Sequence, residues 1–192
     1  VVKILAISGS LRKASVNTAA LRVAAALAPS DVEITIFPGL GGIPPFDPDL
    51  EINGSAPSSV LSFRQMVDEA DGVLIASPEY AHGVSGVLKN ALDWLVSCTL
   101  ALYGKPVALL NTSPRTSIAY NSLKDIIRTM AGNVVEEASQ LIPLPNMTVT
   151  YDQIMGHPLL RERIQACTRT LIASILDLHP EAIRTARGSS SR

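Results

Sequence analysis

The sequence predicts an α/β domain, doubly wound, in which five parallel strands in the order 2-1-3-4-5 carry helices on both faces. Three observations lead there. Short, nearly continuous apolar runs recur along the chain, for instance at 2–7 and 72–77, and strands covered on both faces read this way. Longer segments with apolar residues three and four apart, the helical period, lie between them. The two types alternate, which implies a parallel sheet reached by crossover connections.

Taken in order, residues 2–7 form the first strand and 17–27 the first helix, with Leu21, Ala24, Ala25 and Ala28 on one face. Residues 32–37 form the second strand. The stretch 38–57 is rich in Gly, Pro and Asp and reads as a long surface loop. A helix at 58–70 leads to the third strand at 72–77 (Gly-Val-Leu-Ile-Ala-Ser), and a helix at 85–97 leads to the fourth at 105–111. A helix at 117–130 follows, and a fifth strand begins at 133–136. The closing helix, 159–178, places Ile164, Cys167, Leu171, Ile175 and Leu178 on an inward stripe. From His179 onward no apolar period remains, so one domain is expected over 1–179, with 180–192 a disordered tail whose arginines are solvated.

Composition narrows the function. The chain has 192 residues, 47% hydrophobic and 17% charged, enough for one sizeable core. No apolar run approaches the ~20 residues of a membrane helix. The apolar start is too short for a secretory signal and runs into Ser8-Gly9-Ser10, so the expected location is the cytoplasm. A net charge of −1 gives no reason to expect nucleic acid or a membrane surface as partner. Cys98 and Cys167 lie in segments of helical spacing and read as small buried apolar residues; neither they nor the histidines form a zinc pattern, and no metal is expected.

The chemistry concentrates in two loops. The first runs Ser8-Gly9-Ser10-Leu11-Arg12-Lys13-Ala14-Ser15-Val16-Asn17-Thr18, out of a buried strand and into a helix. A helix N-terminus has unpaired N–H groups and partial positive charge, which suit a phosphate. Ser10 and Ser15 add hydroxyls, Asn17 an amide and Arg12 a guanidinium. The same Ser and Asn residues are also ordinary helix caps, and Arg12 could simply be solvated. Neither G-x-G-x-x-G after the first strand nor G-x-x-x-x-G-K-S/T occurs, which removes the usual dinucleotide and P-loop readings. The second loop, Ser77-Pro78-Glu79-Tyr80-Ala81-His82-Gly83-Val84, follows the third strand. Strands one and three are neighbours where the order reverses, and ligands bind beyond the carboxyl ends at such a point. The loop after strand four, Thr112-Ser113-Pro114-Arg115-Thr116, borders the same crevice. A phosphate anchor facing an aromatic ring and free amides suits a phosphorylated flat ring system.

These motifs, continued by Gly86-Val87-Leu88-Lys89-Asn90-Ala91-Leu92-Asp93-Trp94, resemble the NADPH-dependent FMN reductase family over about residues 2–145. The resemblance implies a flavodoxin-like fold, FMN as cofactor and NADPH or NADH as electron donor. It implies ping-pong transfer to a small oxidised acceptor: a quinone, free flavin, azo compound or metal oxyanion. It maps the phosphate role onto Ser10, Arg12, Ser15 and Asn17, with Val16 at the helix start between them. It maps the ring role onto Pro78, Glu79, Tyr80 and Ala81, mainly through backbone groups, with Ser113 beside the ring. Arg115 fits either the NADPH phosphate or solvent. The sequence departs from the family in Ala81, where Asn is usual, in Ser85-Gly86, where Pro-Gly is usual, and in a loop after strand four that lacks glycines.

No catalytic side chain is expected, because a flavin carries hydride chemistry itself. His82 reads as a polar loop residue, Glu79 as a structural carboxylate, and Lys89 with Asp93 as an i,i+4 pair. Apolar residues span about 200° of helix 85–97, twice the usual buried stripe. Together with the family resemblance this implies a homodimer or homotetramer with Trp94 at the contact; the competing reading buries the helix under the chain's own loops. Two other functions stay open: a flavodoxin-type electron carrier, against which the near-neutral charge argues, and a flavin-free binding module.

Overall fold

A computed structural model describes residues 1–96, 101–113, 117–142, 144, 146 and 148–178. Cys98, Arg115 and the 180–192 tail lie outside the described residues. The strands are β1 (Val2–Ser8), β2 (Val32–Ile36), β3 (Gly72–Ala76), β4 (Glu79–Tyr80), β5 (Gly83–Val84), β6 (Pro106–Asn111), β7 (Asn133–Val134) and β8 (Gln140–Leu141). The helices are α1 (Val16–Ala26), α2 (Pro48–Ile52), α3 (Ser58–Glu69), α4 (Gly86–Val96), α5 (Ile118–Thr129), α6 (Tyr151–Gly156) and α7 (Pro158–Leu178). The main sheet is parallel and runs β2-β1-β3-β6-β7, with β8 also on β6. The expected order therefore holds, with six strands rather than five.

The sixth strand arises because the fifth position is broken. Residues 106 to 111 of β6 face residues 133 to 141, and the surplus is taken up by a 3-10 turn at Glu136–Ala138. The ladder gap leaves the Leu109 N–H without a strand partner, and the Ser139 hydroxyl accepts it at 3.1 Å. A buried amide without an acceptor would cost about 1–3 kcal/mol.

Alternation along the central strands divides the core in two. Leu5, Ile7, Val73, Ile75, Val107 and Leu109 face the layer holding α3, α4 and α5. Ile4, Ala6, Leu74, Ala76, Ala108 and Leu110 face α1, α6 and α7. The second face carries alanines, and α1 meets it with Ala19, Ala20 and Ala24, so that helix and sheet approach closely. The inward stripe of α7 is buried at Ile164, Cys167, Leu171 and Ile175, but Leu178 is exposed. Burial pushes the Cys167 thiol up to about 11, which leaves it protonated and unreactive at neutral pH.

The stretch 38–57 is not merely surface loop. It contains a 3-10 turn at Leu40–Gly42 and α2, and it buries Leu40 and Ile43. Its middle is fastened to α4. Asn90 Oδ1 accepts from Phe46 N at 2.8 Å, and its Nδ2 donates to Pro44 O at 2.8 Å. Trp94 Nε1 also donates to Pro44 O at 2.8 Å, while Phe46 stacks edge-on against the indole at 5.0 Å. Trp94 is fully buried by its own chain. The expectation that Trp94 needs a partner subunit is thus corrected: the wide apolar face of α4 is covered by residues 43–46 on one side and the sheet on the other. Only Gly86, Lys89 and Val96 of this helix are exposed, and Lys89 pairs with Asp93 at 2.5 Å as expected.

Replacing Asn90 with Ala should strand the Phe46 backbone N–H, while Pro44 O keeps its bond from Trp94 Nε1, and lower stability by about 1–3 kcal/mol. Urea unfolding checks it; a change below about 0.5 kcal/mol would show that the loop is held elsewhere.

Candidate functional site

The crevice begins where β1 and β3 end. Gly9 N donates to Ala76 O at 2.8 Å, carrying the pairing one residue past β1. A Cβ at Gly9 would lie 2.6 Å from Ser77 Oγ and 3.0 Å from Ser85 Oγ, so only glycine lets the first loop lie against the second. Ser85 Oγ is buried with no hydrogen-bond partner among the described residues.

The first loop folds on its own hydroxyls. Ser8 and Thr18 share a hydrogen bond of 2.8 Å, and Ser10 Oγ accepts from Arg12 N at 3.3 Å. Ser15 is extended (φ −82°, ψ 126°) and its hydroxyl accepts from Thr18 N at 3.3 Å, capping α1. The Val16 and Asn17 amides precede the first intrahelical bond, from Ala19 N to Ser15 O, so the helix supplies them no acceptor. Asn17 is buried, and its Oδ1 accepts from the Thr112 hydroxyl at 2.7 Å. Its side-chain oxygen therefore fastens α1 to the end of β6. Asn111 Oδ1 accepts from Ser113 N at 2.9 Å and turns that loop. Ser10 is half-buried and Arg12 exposed. No carboxylate occurs between Ser8 and Thr18, and the polar groups of the loop are amides, hydroxyls and the Arg12 and Lys13 cations. Such a donor set fits a phosphate monoester.

The second loop is a tight hairpin that propensity alone would not place. β4 and β5 are antiparallel, with Glu79 opposite Val84 and Tyr80 opposite Gly83. The two residues between them, Ala81 (φ 49°) and His82 (φ 61°), are both left-handed, the requirement of a type I′ turn. That turn favours Asn or Gly at its first central position, which gives a backbone reason why Ala81 is an unfavourable residue there. Pro78 is buried at the hairpin root and Tyr80 exposed at its edge, 59% accessible.

Glu79 has a structural role. Its side chain is only 6% exposed; Oε2 accepts from Ala119 N at 3.2 Å and Oε1 meets His82 Nδ1 at 3.1 Å. The N-cap residue of α5, Ser117, makes no side-chain cap bond, so the Glu79 carboxylate serves at that helix N-terminus, where negative charge is favoured. His82 is 69% exposed and tethered to Glu79. Gly9 lies against Ser77 and Ser85 and Asn17 bonds Thr112, so the first loop with Ser10, Arg12, Ser15, Val16 and Asn17 adjoins both the loop that carries Pro78, Glu79, Tyr80 and Ala81 and the strand end that leads to Ser113. Gly9, Thr112, Asn111 and Ser85 shape the same crevice without having been singled out. A glycine directly after a buried strand was the readable signal for Gly9; the others are ordinary polar residues whose roles appear only in three dimensions.

The family described as NADPH-dependent FMN reductase matches residues 2–143. An NADPH:quinone oxidoreductase of Arabidopsis thaliana is 42% identical over 118 residues, 58% of this chain and 58% of that protein. A quinone reductase of Escherichia coli K12 is 37% identical over 112 residues, 58% of this chain and 60% of the relative. These matches thus span less than two thirds of the curated relatives. Among solved structures, FerB of Paracoccus denitrificans, described as a flavoenzyme NAD(P)H:(acceptor) oxidoreductase, aligns at a TM-score of 0.69 and 26% identity. That alignment covers 91% of this chain and 99% of FerB.

If the hairpin tip is strained, Ala81→Asn should stabilise the protein by about 0.5–1 kcal/mol, because Asn tolerates the left-handed region. Denaturant midpoints of the two proteins decide it; an unchanged or lower midpoint would contradict the type I′ assignment.

Proposed function

The chain belongs to the NADPH-dependent FMN reductase family, and from that premise we propose that it binds FMN in the β1/β3 crevice and passes electrons from NAD(P)H to a small oxidised acceptor. The observation that supports this reading most is the convergence of an all-donor loop at the head of α1 with the Pro78–Ala81 backbone across a contact that only Gly9 permits. Quinones are the favoured acceptor class because the named relatives reduce quinones; free flavin, azo compounds and metal oxyanions would suit the same open site.

In this reading Ser10, Arg12, Ser15 and the Val16 and Asn17 amides hold the phosphate. Pro78, Glu79, Tyr80 and Ala81 border the ring, with Ser113 on its far side. FMN, when bound, supplies the hydride-accepting and electron-donating chemistry. The protein's contribution is placement: α1 points its N-terminus at the phosphate, Glu79 ties the hairpin to α5, and Asn17 with Thr112 fixes the spacing of the two walls. No helix among the described residues is long and apolar enough to cross a membrane. A cytoplasmic location remains part of the proposal and fits a donor drawn from the cell's nicotinamide pool; fractionation of the source cells tests it, and recovery with membranes would end it. A homodimer or homotetramer is likewise proposed, now through the exposed remainder of α4 at Val96 and the nearby loops rather than through Trp94. Light scattering reads it directly, and a particle of monomer mass at high concentration would end it.

Because the first loop closes the phosphate end, donor and acceptor must use the same open side in turn. Double-reciprocal plots with NAD(P)H varied at several quinone concentrations should be parallel. His82→Ala and Glu79→Gln should each lower turnover by less than the ~100-fold typical of losing a general acid or base. Intersecting lines, or collapse of turnover in His82→Ala with FMN still bound, would contradict the mechanism.

A further inference from the structure

One hydroxyl where the two loops meet has no partner. Ser85 is 1% exposed, and its Oγ makes no hydrogen bond among the described residues. Its place in the chain makes this unusual. Ser85 O accepts from Lys89 N at 2.9 Å, the first bond of α4, so Ser85 is the N-cap residue of that helix. A serine there ordinarily turns its hydroxyl onto an amide of the first turn. Here it caps nothing, and its Oγ lies 3.0 Å from where a Gly9 Cβ would stand. The neighbouring hydroxyl, Ser77 Oγ, lies 2.6 Å from the same point but is engaged, donating to Pro78 O at 3.2 Å. The Ser85 hydroxyl is left beside the gap at Gly9 with its proton and lone pairs unused, which is costly in a dry interior. The sequence departs from its family at this residue, where the usual proline has no hydroxyl to strand.

The position of the gap selects the partner. Gly9 directly precedes Ser10, where the segment proposed for the phosphate begins. Ser77 directly precedes Pro78, where the wall proposed for the ring begins. The contact of Gly9 with Ser77 and Ser85 therefore falls between phosphate and ring. The part of FMN that joins those two groups is the ribityl chain, a run of hydroxyls. A serine hydroxyl, donor and acceptor at once, is complementary to such a polyol.

Resting on the functional reading above, we infer that Ser85 is a further flavin-binding residue of this chain, its Oγ hydrogen-bonding a ribityl hydroxyl at the gap left by Gly9.

The test titrates the flavin-stripped full chain with FMN, riboflavin and lumiflavin, followed by flavin fluorescence. FMN and riboflavin share the ribityl chain, only FMN has the phosphate, and lumiflavin has the ring alone. Ser85→Ala should weaken FMN and riboflavin by the same factor, about three- to tenfold, the worth of one neutral hydrogen bond. Lumiflavin should stay within about twofold. Ser15→Ala, by contrast, should weaken FMN far more than riboflavin. Without flavin, Ser85→Ala should unfold at the same urea concentration as the wild type or a higher one, because it removes a stranded hydroxyl. A lower midpoint would show that the hydroxyl serves the fold and would overturn the assignment. So would loss of affinity for FMN alone, equal loss for lumiflavin, or no loss for any flavin. Wild type that binds FMN without dependence on Ser85 would leave the functional reading standing and remove only this residue from it. Wild type that binds no flavin would bring down both.

Discussion

The structure depends on one close approach, where the chain leaving β1 lies against the chain leaving β3. Gly9 continues the strand pairing through Ala76 O, and its missing Cβ leaves room for Ser77 and Ser85. Any side chain there would push the loops apart. With β1 and β3 adjacent, their crossovers leave in opposite directions, α1 to one face and α4 to the other. The crevice between the two departures is a consequence of that reversal. The alanines at positions 6 and 76 and along α1 let the helix sit low on the sheet, which brings its N-terminus level with the loop.

Around this contact the protein spends its polar side chains on position rather than on reaction. Glu79 reads as a structural carboxylate in the sequence, and both its oxygens are engaged, one by the α5 N-terminus and one by His82. Asn17 resembles a phosphate ligand, yet its side-chain oxygen joins α1 to β6 through Thr112. Asn90 and Trp94, part of a run with family resemblance, fasten the 43–46 loop over α4. The cofactor-borne chemistry proposed for this chain asks for this kind of construction, in which the walls around the site are fixed.

Much of this was legible in the sequence where burial dictates composition. The central stretches of β1, β3 and β6 are covered on both faces, so their runs are nearly continuously apolar and were recognisable at once. The loop proposed to hold the phosphate stood out because a helix cap and a donor cluster coincide at one strand end. Other features were hidden by their own residues. The hairpin at 79–84 turns on Ala81 and His82, neither of which signals a type I′ turn. Leu40, Ile43 and Phe46 are dispersed among Pro and Gly, so a partly buried covering segment looked like surface loop. Trp94 seemed to call for another subunit because its partners lie about fifty residues away in that same segment. The broken fifth strand depends on Ser139 replacing a ladder bond, which no periodicity reveals.

The central claim is that the loop from Ser10 to Asn17 holds the phosphate of FMN, and ³¹P NMR of the reconstituted protein across pH 5 to 8 tests it most directly. A phosphate monoester free in water takes up a proton near pH 6, with a second pKa of about 6. Held by the α1 N-terminus, the serine hydroxyls and Arg12, the phosphate should stay dianionic, and its resonance should not move across that range. A bound-flavin resonance that titrates near pH 6, as the free ester does, would place the phosphate in solvent and contradict the account.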